Sequence, residues 1–272
     1  MASKESLSVR FLYRTLPGRL VLKVATRRFV SRLGGAYLDS RLSRGMIRRF
    51  IKKNGLDMSG YEPGPYRSFN EFFKRRRLGA VETDENALIS PCDGKLSVYT
   101  VREDPTFDIK HATYSLSRLL GDEQTAESYR GGLCLIFRLA PENYHRYIYP
   151  VSGTLGKSRR IEGRLHCVRP IAYTERPVFT ENTRELVCID SGRWGRVTQI
   201  EVGALLVGKI CNVVGHESAV QGMEKGWFEF GGSTIMLLVE KDRLDLVEPF
   251  AKTLDTTEEL PIRQGDVVGK NK

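Results

Sequence analysis

Cysteine is sparse in this chain and never paired along it. Cys92, Cys134, Cys167, Cys188 and Cys211 are spread singly over 272 residues, with no C-x-x-C spacing. That excludes a zinc knuckle, suggests no disulfide framework, and fits buried free thiols in a reducing compartment. Histidine is scarcer still. His111, His145, His166 and His216 show no metal-ligand spacing, so no metal is expected. No run approaches the ~18 consecutive apolar residues of a membrane span. The first residues show no long apolar core followed by a small-residue cleavage site, so no signal peptide is expected. Internal repeats and low-complexity tracts are also missing.

Acidic residues are nearly absent from residues 1–54. That segment holds 14 Lys+Arg against Glu5 and Asp39, a net of +12, so the other 218 residues carry −2 of the chain's +10. The basicity therefore belongs to the N-terminal segment. Val21, Ala25, Phe29 and Leu33 recur there at i+4, flanked by Arg19, Lys23, Arg27, Arg28 and Arg32. Gly34-Gly35 is expected to break this helix. A second helix is expected with Leu38, Leu42, Met46 and Phe50 on one stripe and Arg41, Arg44, Arg48 and Arg49 on another, ending at Asn54-Gly55. Three readings fit: a helix docked on the protein's own body, a membrane-surface helix suited to anionic headgroups, and a nucleic-acid contact without a recognised motif.

A Gly/Pro/Tyr-rich connector, residues 55–67, follows. Ser68 and Glu71 form a capping-box signature for a short helix from Phe69 to Arg77, with Phe69, Phe72 and Phe73 inward. From about residue 88 the pattern turns to β. Strands are expected at Leu96–Val101, Leu133–Leu139, Leu186–Ile189, Arg196–Val202, Leu205–Val214 and Thr234–Glu240, with one helix near Ser115–Leu120. The polar stretch 254–272 is expected to fray. The fold class is α+β, a predominantly β core with short amphipathic helices at the N-terminus. Residues 1–55 read as a basic helical segment and residues 56–272 as a catalytic domain.

Gly231-Gly232-Ser233-Thr234 is the most informative stretch. It sits between Phe228-Glu229-Phe230 and the apolar run Ile235–Val239. The plain reading is a turn entering a strand. The chemical reading starts from the glycines, which leave the Gly232 carbonyl open to close approach. The Ser233 hydroxyl can then attack its own preceding peptide bond. The resulting ester can eliminate and leave a pyruvoyl group at a new N-terminus. Two further segments could assist. Ser90-Pro91-Cys92-Asp93-Gly94 is either a β-turn or a carboxylate held at a strand entrance to orient a partner or accept a proton. Pro141-Glu142-Asn143-Tyr144-His145-Arg146-Tyr147 places a histidine in an aromatic, basic loop at a strand end, as a structural group or a catalyst.

These segments, with Arg138-Leu139-Ala140 ahead of the histidine loop, Val202-Gly203-Ala204 and Lys225-Gly226-Trp227, resemble in order the phosphatidylserine decarboxylase family. So do Tyr114–Gly121, Phe179-Thr180-Glu181-Asn182-Thr183-Arg184-Glu185 and Phe69-Asn70-Glu71-Phe72-Phe73-Lys74-Arg75. The resemblance covers roughly residues 60–242. It implies cleavage after Gly232, with Ser233 becoming the pyruvoyl cofactor. Asp93 matches the aspartate of the self-processing triad. His145 matches the histidine implicated in decarboxylation and is the expected proton donor to the carbanion. The family's second histidine, three residues later, is replaced by Ile148, and Asn143 replaces an acidic residue of some relatives. Either His145 serves both steps or the fold brings in a distant histidine.

The implied reaction converts phosphatidylserine to phosphatidylethanolamine and CO2 through a Schiff base. The alternatives are a pyruvoyl-dependent decarboxylase of a soluble aromatic amino acid and a non-processed, non-catalytic β-domain. Expected partners are the phospholipid substrate, an anionic membrane surface at the cytoplasmic face bound peripherally, the chain's two cleavage fragments associated as subunits, and a homodimer. No nucleic-acid partner is expected, because the body carries no basic patch.

Overall fold

Leu133–Leu139 and Ile235–Val239 are nearly unbroken apolar runs, the pattern of strands covered on both faces. In the computed structural model, which describes residues 15, 17–18, 28–168, 170–174, 176–204, 209–231 and 233–272, both are strands at the centre of a sheet. The helices used below are α1 (Arg28–Asp39), α2 (Gly45–Asn54), α3 (Phe69–Phe73), α4 (Leu116–Leu120), α5 (Glu123–Glu127), α6 (Pro170–Tyr173) and α7 (Val178–Glu181). The strands begin with β1 (Ala87–Ile89), β2 (Gly94–Thr100), β3 (Thr106–Ile109), β4 (Ala112–Ser115), β5 (Leu133–Leu139), β6 (Arg146–Ile148), β7 (Gly153–Leu155) and β8 (Arg159–Ile161). They continue with β9 (Arg184–Ser191), β10 (Gly195–Gly203), β11 (Ile210–Asn212), β12 (Ser218–Ala219), β13 (Glu224–Phe228) and β14 (Ser233–Val239). The last are β15 (Asp245–Leu246), β16 (Leu260–Ile262) and β17 (Val267–Lys270).

The main sheet runs β12-β7-β9-β10-β14-β5-β2-β16, with β8 also on β9, and its pairings are antiparallel. A smaller sheet, β11-β13-β6, carries the segments on either side of the functional loops. Side chains alternate across β14 with period two. Met236 and Leu238 enter one core with Ile136, Val202 and Phe179, whereas Ile235, Leu237 and Val239 enter the other with Phe137, Leu139 and Phe228. Ser233 thus belongs to the second face. A third cluster joins Leu38 and Ile47 of the N-terminal helices to Phe69, Phe72 and Phe73 of α3, with Phe50 and Phe230 packed on it.

The capping box forms at its N-cap, where Ser68 Oγ accepts from the Glu71 N–H at 3.1 Å, and Phe69, Phe72 and Phe73 are fully buried. The helix ends at Phe73 rather than Arg77, because the chain turns there to bring Lys74–Arg77 against the site. Gly34-Gly35 does not break α1, which runs through both. Interior glycine costs a helix only about 1 kcal/mol, and α1 is held by packing on α3 and by Asn70 Nδ2 donating to Asp39 Oδ1 at 2.7 Å. The break comes instead at Ser40, followed by a 3₁₀ turn, Arg41–Arg44. That shift splits the expected stripe. Leu38 and Phe50 turn inward, while Leu42 and Met46 stay exposed. Gly55 ends α2 as expected, in the left-handed region at φ 60°.

Three other expectations change. Helices α5, α6 and α7 interrupt the β region beyond the one foreseen. Of the strand expected over 205–214, Ile210–Asn212 forms, and residues 205–208 lie outside the described residues. The segment 254–272 does not fray. β16 pairs with β2, β17 pairs with β1, and Glu259 forms a two-point bond with Arg138 at 2.7 and 2.6 Å. Short polar segments can be ordered by partners that local sequence does not display.

Burial opposes the Glu259 charge, but Arg138 and the Tyr173 hydroxyl outweigh it and hold the carboxyl below its usual range. This stabilisation is present in full above the usual carboxylate range and is lost as pH falls through the lowered folded value. Glu259→Gln should destabilise the protein by about 3–5 kcal/mol at neutral pH, since it strands a buried guanidinium. Urea unfolding should show the gap between variant and wild type closing in acid. Equal midpoints at neutral pH would contradict the assigned role.

Candidate active site

Ser233 opens β14, lying opposite Leu139 of β5 and Gly203 of β10. It is fully buried, and among the described residues its Oγ has no hydrogen-bond partner. Buried polar groups are nearly always paired, and the adjacent Thr234 hydroxyl is likewise unpartnered. Gly231 adopts φ 149°, backbone that glycine enters far more readily than other residues. Gly232, the expected cleavage partner, lies outside the described residues. The segment ahead of it is fastened twice. The Phe228 N–H donates to the His145 carbonyl at 2.9 Å, and the Phe230 N–H donates to Asn70 Oδ1 at 3.2 Å.

The first of those bonds brings His145 to Ser233's approach. His145 is fully buried, with its ring centroid 4.1 Å from that of Phe73. Its Nδ1 lies 2.9 Å from the Asn143 carbonyl oxygen. A carbonyl only accepts, so this contact assigns the proton to Nδ1 and leaves the lone pair on Nε2. Nε2 has no hydrogen-bond partner among the described residues. Burial pushes the imidazole down to about 3; the Asn143 and Gly231 carbonyls oppose that shift, and the Arg75 charge adds to it. Burial therefore keeps the ring neutral.

Asp93 reaches the same neighbourhood but not the histidine. Its Oδ2 accepts from Arg77 Nη2 at 2.8 Å and its Oδ1 from the Gln264 N–H at 2.9 Å. Arg77 lies over the Tyr144 ring at 4.6 Å, and its N–H donates to the Tyr144 hydroxyl at 3.1 Å. Gln264 Nε2 donates to the carbonyls of Arg146 and Pro91. Asp93 thus braces both residues flanking His145. Ile148, at the expected second-histidine position, is buried, with its N–H donating to the Pro91 carbonyl at 3.0 Å.

Among the other histidines, His111 is exposed and His216 lies 6.1 Å from the Tyr149 ring. His166 comes closer to the strand end. Its N–H donates to Asn182 Oδ1, and Asn182 Nδ2 donates to the carbonyl of Gly203, the residue opposite Ser233. Its Nε2 lies 3.3 Å from Glu181. Two residues before Gly203, on the Ser233 face, Glu201 is wholly buried against Lys225 Nζ at 2.6 Å. Among the described residues no group of His, Cys, Asp and Glu is placed to hold a metal. Among the cysteines, Cys92 and Cys134 are buried and the other three half-buried.

Asn70, Phe73, Arg75, Arg77 and Gln264 were not expected in the site. The first four lie in the Phe69–Arg77 stretch, whose aromatic spacing announces only a packed helix. Gln264 falls in the segment expected to fray.

The neutral His145 has a direct consequence. Because its folded pKa is lowered, its contribution to stability is full above about 6.5 and is lost as pH falls toward about 3. Nitrogen-edited NMR should show the Nδ1–H tautomer with no titration between about pH 5 and 8. An inflection near the ordinary histidine value would contradict the neutral, desolvated ring.

The geometry accords with the comparisons. The family described as phosphatidylserine decarboxylase matches residues 69–270. The chain is 40% identical over 269 residues to "Phosphatidylserine decarboxylase proenzyme 2" of Clostridium acetobutylicum, covering 96% of this chain and 91% of that one. It is 37% identical over 267 residues to the "Phosphatidylserine decarboxylase proenzyme" of Ruminiclostridium cellulolyticum, covering 95% and 89%. Against the protein of the same description from Clostridium botulinum it is 34% identical over 270 residues, covering 96% and 91%. On the full-length match and on its collinear motifs, the chain belongs to the phosphatidylserine decarboxylase family.

Proposed function

We propose that this chain is a self-processing phosphatidylserine decarboxylase whose pyruvoyl group derives from Ser233. The observation that carries this reading is the buried, unpartnered Ser233 hydroxyl, two residues after the Gly231 carbonyl that faces the neutral His145 ring. A hydroxyl without a competing partner, in a segment that passes a neutral imidazole, is a fit place for such a group to arise.

In processing, His145 takes the Ser233 hydroxyl proton as Oγ attacks the Gly232 carbonyl carbon, and the proton passes to the Ser233 nitrogen as the C–N bond breaks and leaves an ester. Loss of the Ser233 α-proton and of the Gly232 carboxylate, then hydrolysis with release of ammonia, leaves the pyruvoyl group. Asp93 acts through Arg77 and Tyr144, holding the loop in register rather than taking the proton. Once formed, the pyruvoyl group supplies the electron sink that lets a substrate carboxylate leave as CO2. His145 then passes to the carbon that has lost CO2 a proton taken up during the reaction, since its resting ring is neutral, and its buried, ring-walled setting keeps bulk water from that carbon.

Residues 1–55 serve as a peripheral membrane-association segment on an anionic, cytoplasmic leaflet. Exposed Leu33, Tyr37, Leu42 and Met46 stand beside exposed Arg41, Arg44, Arg48, Arg49, Lys52 and Lys53. Apolar side chains beside cations suit the acyl–headgroup boundary. Among the described residues no helix is long and apolar enough to cross a membrane. Val21 and Ala25 of the expected apolar stripe lie outside the described residues.

Phosphatidylserine in vesicles should be converted to phosphatidylethanolamine with release of CO2. Ser233→Ala should reduce turnover to background, and His145→Ala should cost about 100-fold or more. Decarboxylation of free aromatic amino acids without lipid would instead establish the soluble-substrate alternative. On anionic vesicles each surface cation should contribute ~1 kcal/mol, screened by salt. Co-sedimentation should therefore weaken as salt rises, and Leu42→Asp with Met46→Asp should weaken what salt leaves. Equal binding to neutral and anionic vesicles would refute the electrostatic component.

A further inference from the structure

Arg75 is a buried arginine with no acid to balance it. It is 3% exposed and, among the described residues, forms no ion pair. Among the described residues its one hydrogen bond is long, from Nη1 to the Phe72 carbonyl at 3.4 Å, and its Nε–H has no acceptor. The guanidinium lies 4.5 Å from the Tyr61 ring centroid and 4.9 Å from that of Phe72. Three other largely buried arginines around this end of the molecule are each matched: Arg77 to Asp93, Arg138 to Glu259 and Arg146 to Glu224. Aromatic faces offset part of the cost of burying a cation. They leave the Nε–H without an acceptor and the Nη1 donor with only a long one, and a guanidinium's in-plane donors are shaped for an oxyanion.

Its position says which oxyanion. Phe72, which touches Arg75, also packs on Phe50 of α2 at 6.0 Å. Phe73, two residues before Arg75, stacks on His145. Arg75 therefore stands between the outer helical layer and the His145–Ser233 pair. A headgroup entering from a bilayer, tails behind, would pass this point. A carboxylate about to become CO2 is a poor match for the guanidinium. Its negative charge disappears in the reaction, so a tight ion pair would stabilise the ground state more than the transition state. A phosphodiester keeps its charge throughout.

We propose that Arg75 anchors the phosphodiester of the substrate headgroup, between the helical layer and His145, by charge-assisted bonds from its free N–H groups. This rests on the lipid-substrate reading given above. It makes Arg75 a specificity determinant, one that distinguishes a phosphatidyl amino acid from a free one. The charge also opposes protonation of His145, so a merely electrostatic role must be separated from binding.

The test uses dihexanoyl phosphatidylserine, whose chains are too short to require a bilayer, with the purified full chain as wild type, R75Q and R75K. Intact mass reports processing, steady-state kinetics report KM and kcat, and calorimetric titration with dihexanoyl phosphatidylethanolamine reports Kd. R75Q should be processed, with KM and Kd both raised about tenfold or more and kcat little changed. R75K should fall between, since it keeps the charge and loses the fork. Unchanged KM and Kd in processed R75Q would overturn the proposal. So would a fall in kcat alone, which would place Arg75's effect at His145. If R75Q fails to mature, R75K decides by calorimetry: a raised Kd supports the anchor, and a wild-type Kd refutes it. A wild type that neither binds nor turns over the phospholipid refutes the substrate reading, and the anchor with it. A working wild type beside an indifferent R75Q refutes the anchor alone.

Discussion

Strand β14 is buried along its whole length, between β5 and β10, with an apolar core on each face. Five consecutive apolar residues, Ile235–Val239, fix that placement. A slip of one residue would exchange the two faces. The same register carries Ser233 and Thr234 inside, although neither hydroxyl finds a partner there. The sheet's packing thus overrides the preference of two polar side chains, and leaves two unsolvated hydroxyls at the strand start. Gly203 opposite and Gly231 before it keep side chains away from that point.

Burial sets the second half of the site as well. Desolvation holds His145 neutral. Asp93 is drawn off by Arg77 and Gln264 and forms no hydrogen bond with His145 among the described residues. Asn70 ties this centre to the periphery. One end of its amide donates to Asp39 at the end of α1 and the other accepts from Phe230, three residues before Ser233. Ser43, between the N-terminal helices, accepts from the Phe69 N–H at 2.9 Å. The N-terminal helical layer is therefore bonded directly to the loop that leads into Ser233.

Much of this was legible from residues alone. The runs Leu133–Leu139 and Ile235–Val239 announce central strands, and Ser68 and Glu71 announce a helix start. What was hidden depends on tertiary partners. Gly34-Gly35 reads locally as a stop, yet α1 gains enough from α3 to continue through it. Glu259 and Gln264 look like a polar tail until Arg138 and Asp93 are seen to need them. Arg75 looks like one of three arginines in a basic run. Only burial distinguishes it from its neighbours.

The central claim is that Ser233 cuts its own chain. Intact-mass spectrometry of purified wild type and Ser233→Ala tests it most directly. Wild type should appear as two fragments, residues 1–232 and the 40 residues 233–272, the second lacking its N-terminal amine and blocked by a pyruvoyl group. Ser233→Ala should appear as one full-length species. A wild type that stays whole, or a Ser233→Ala chain that still splits at that bond, would contradict it.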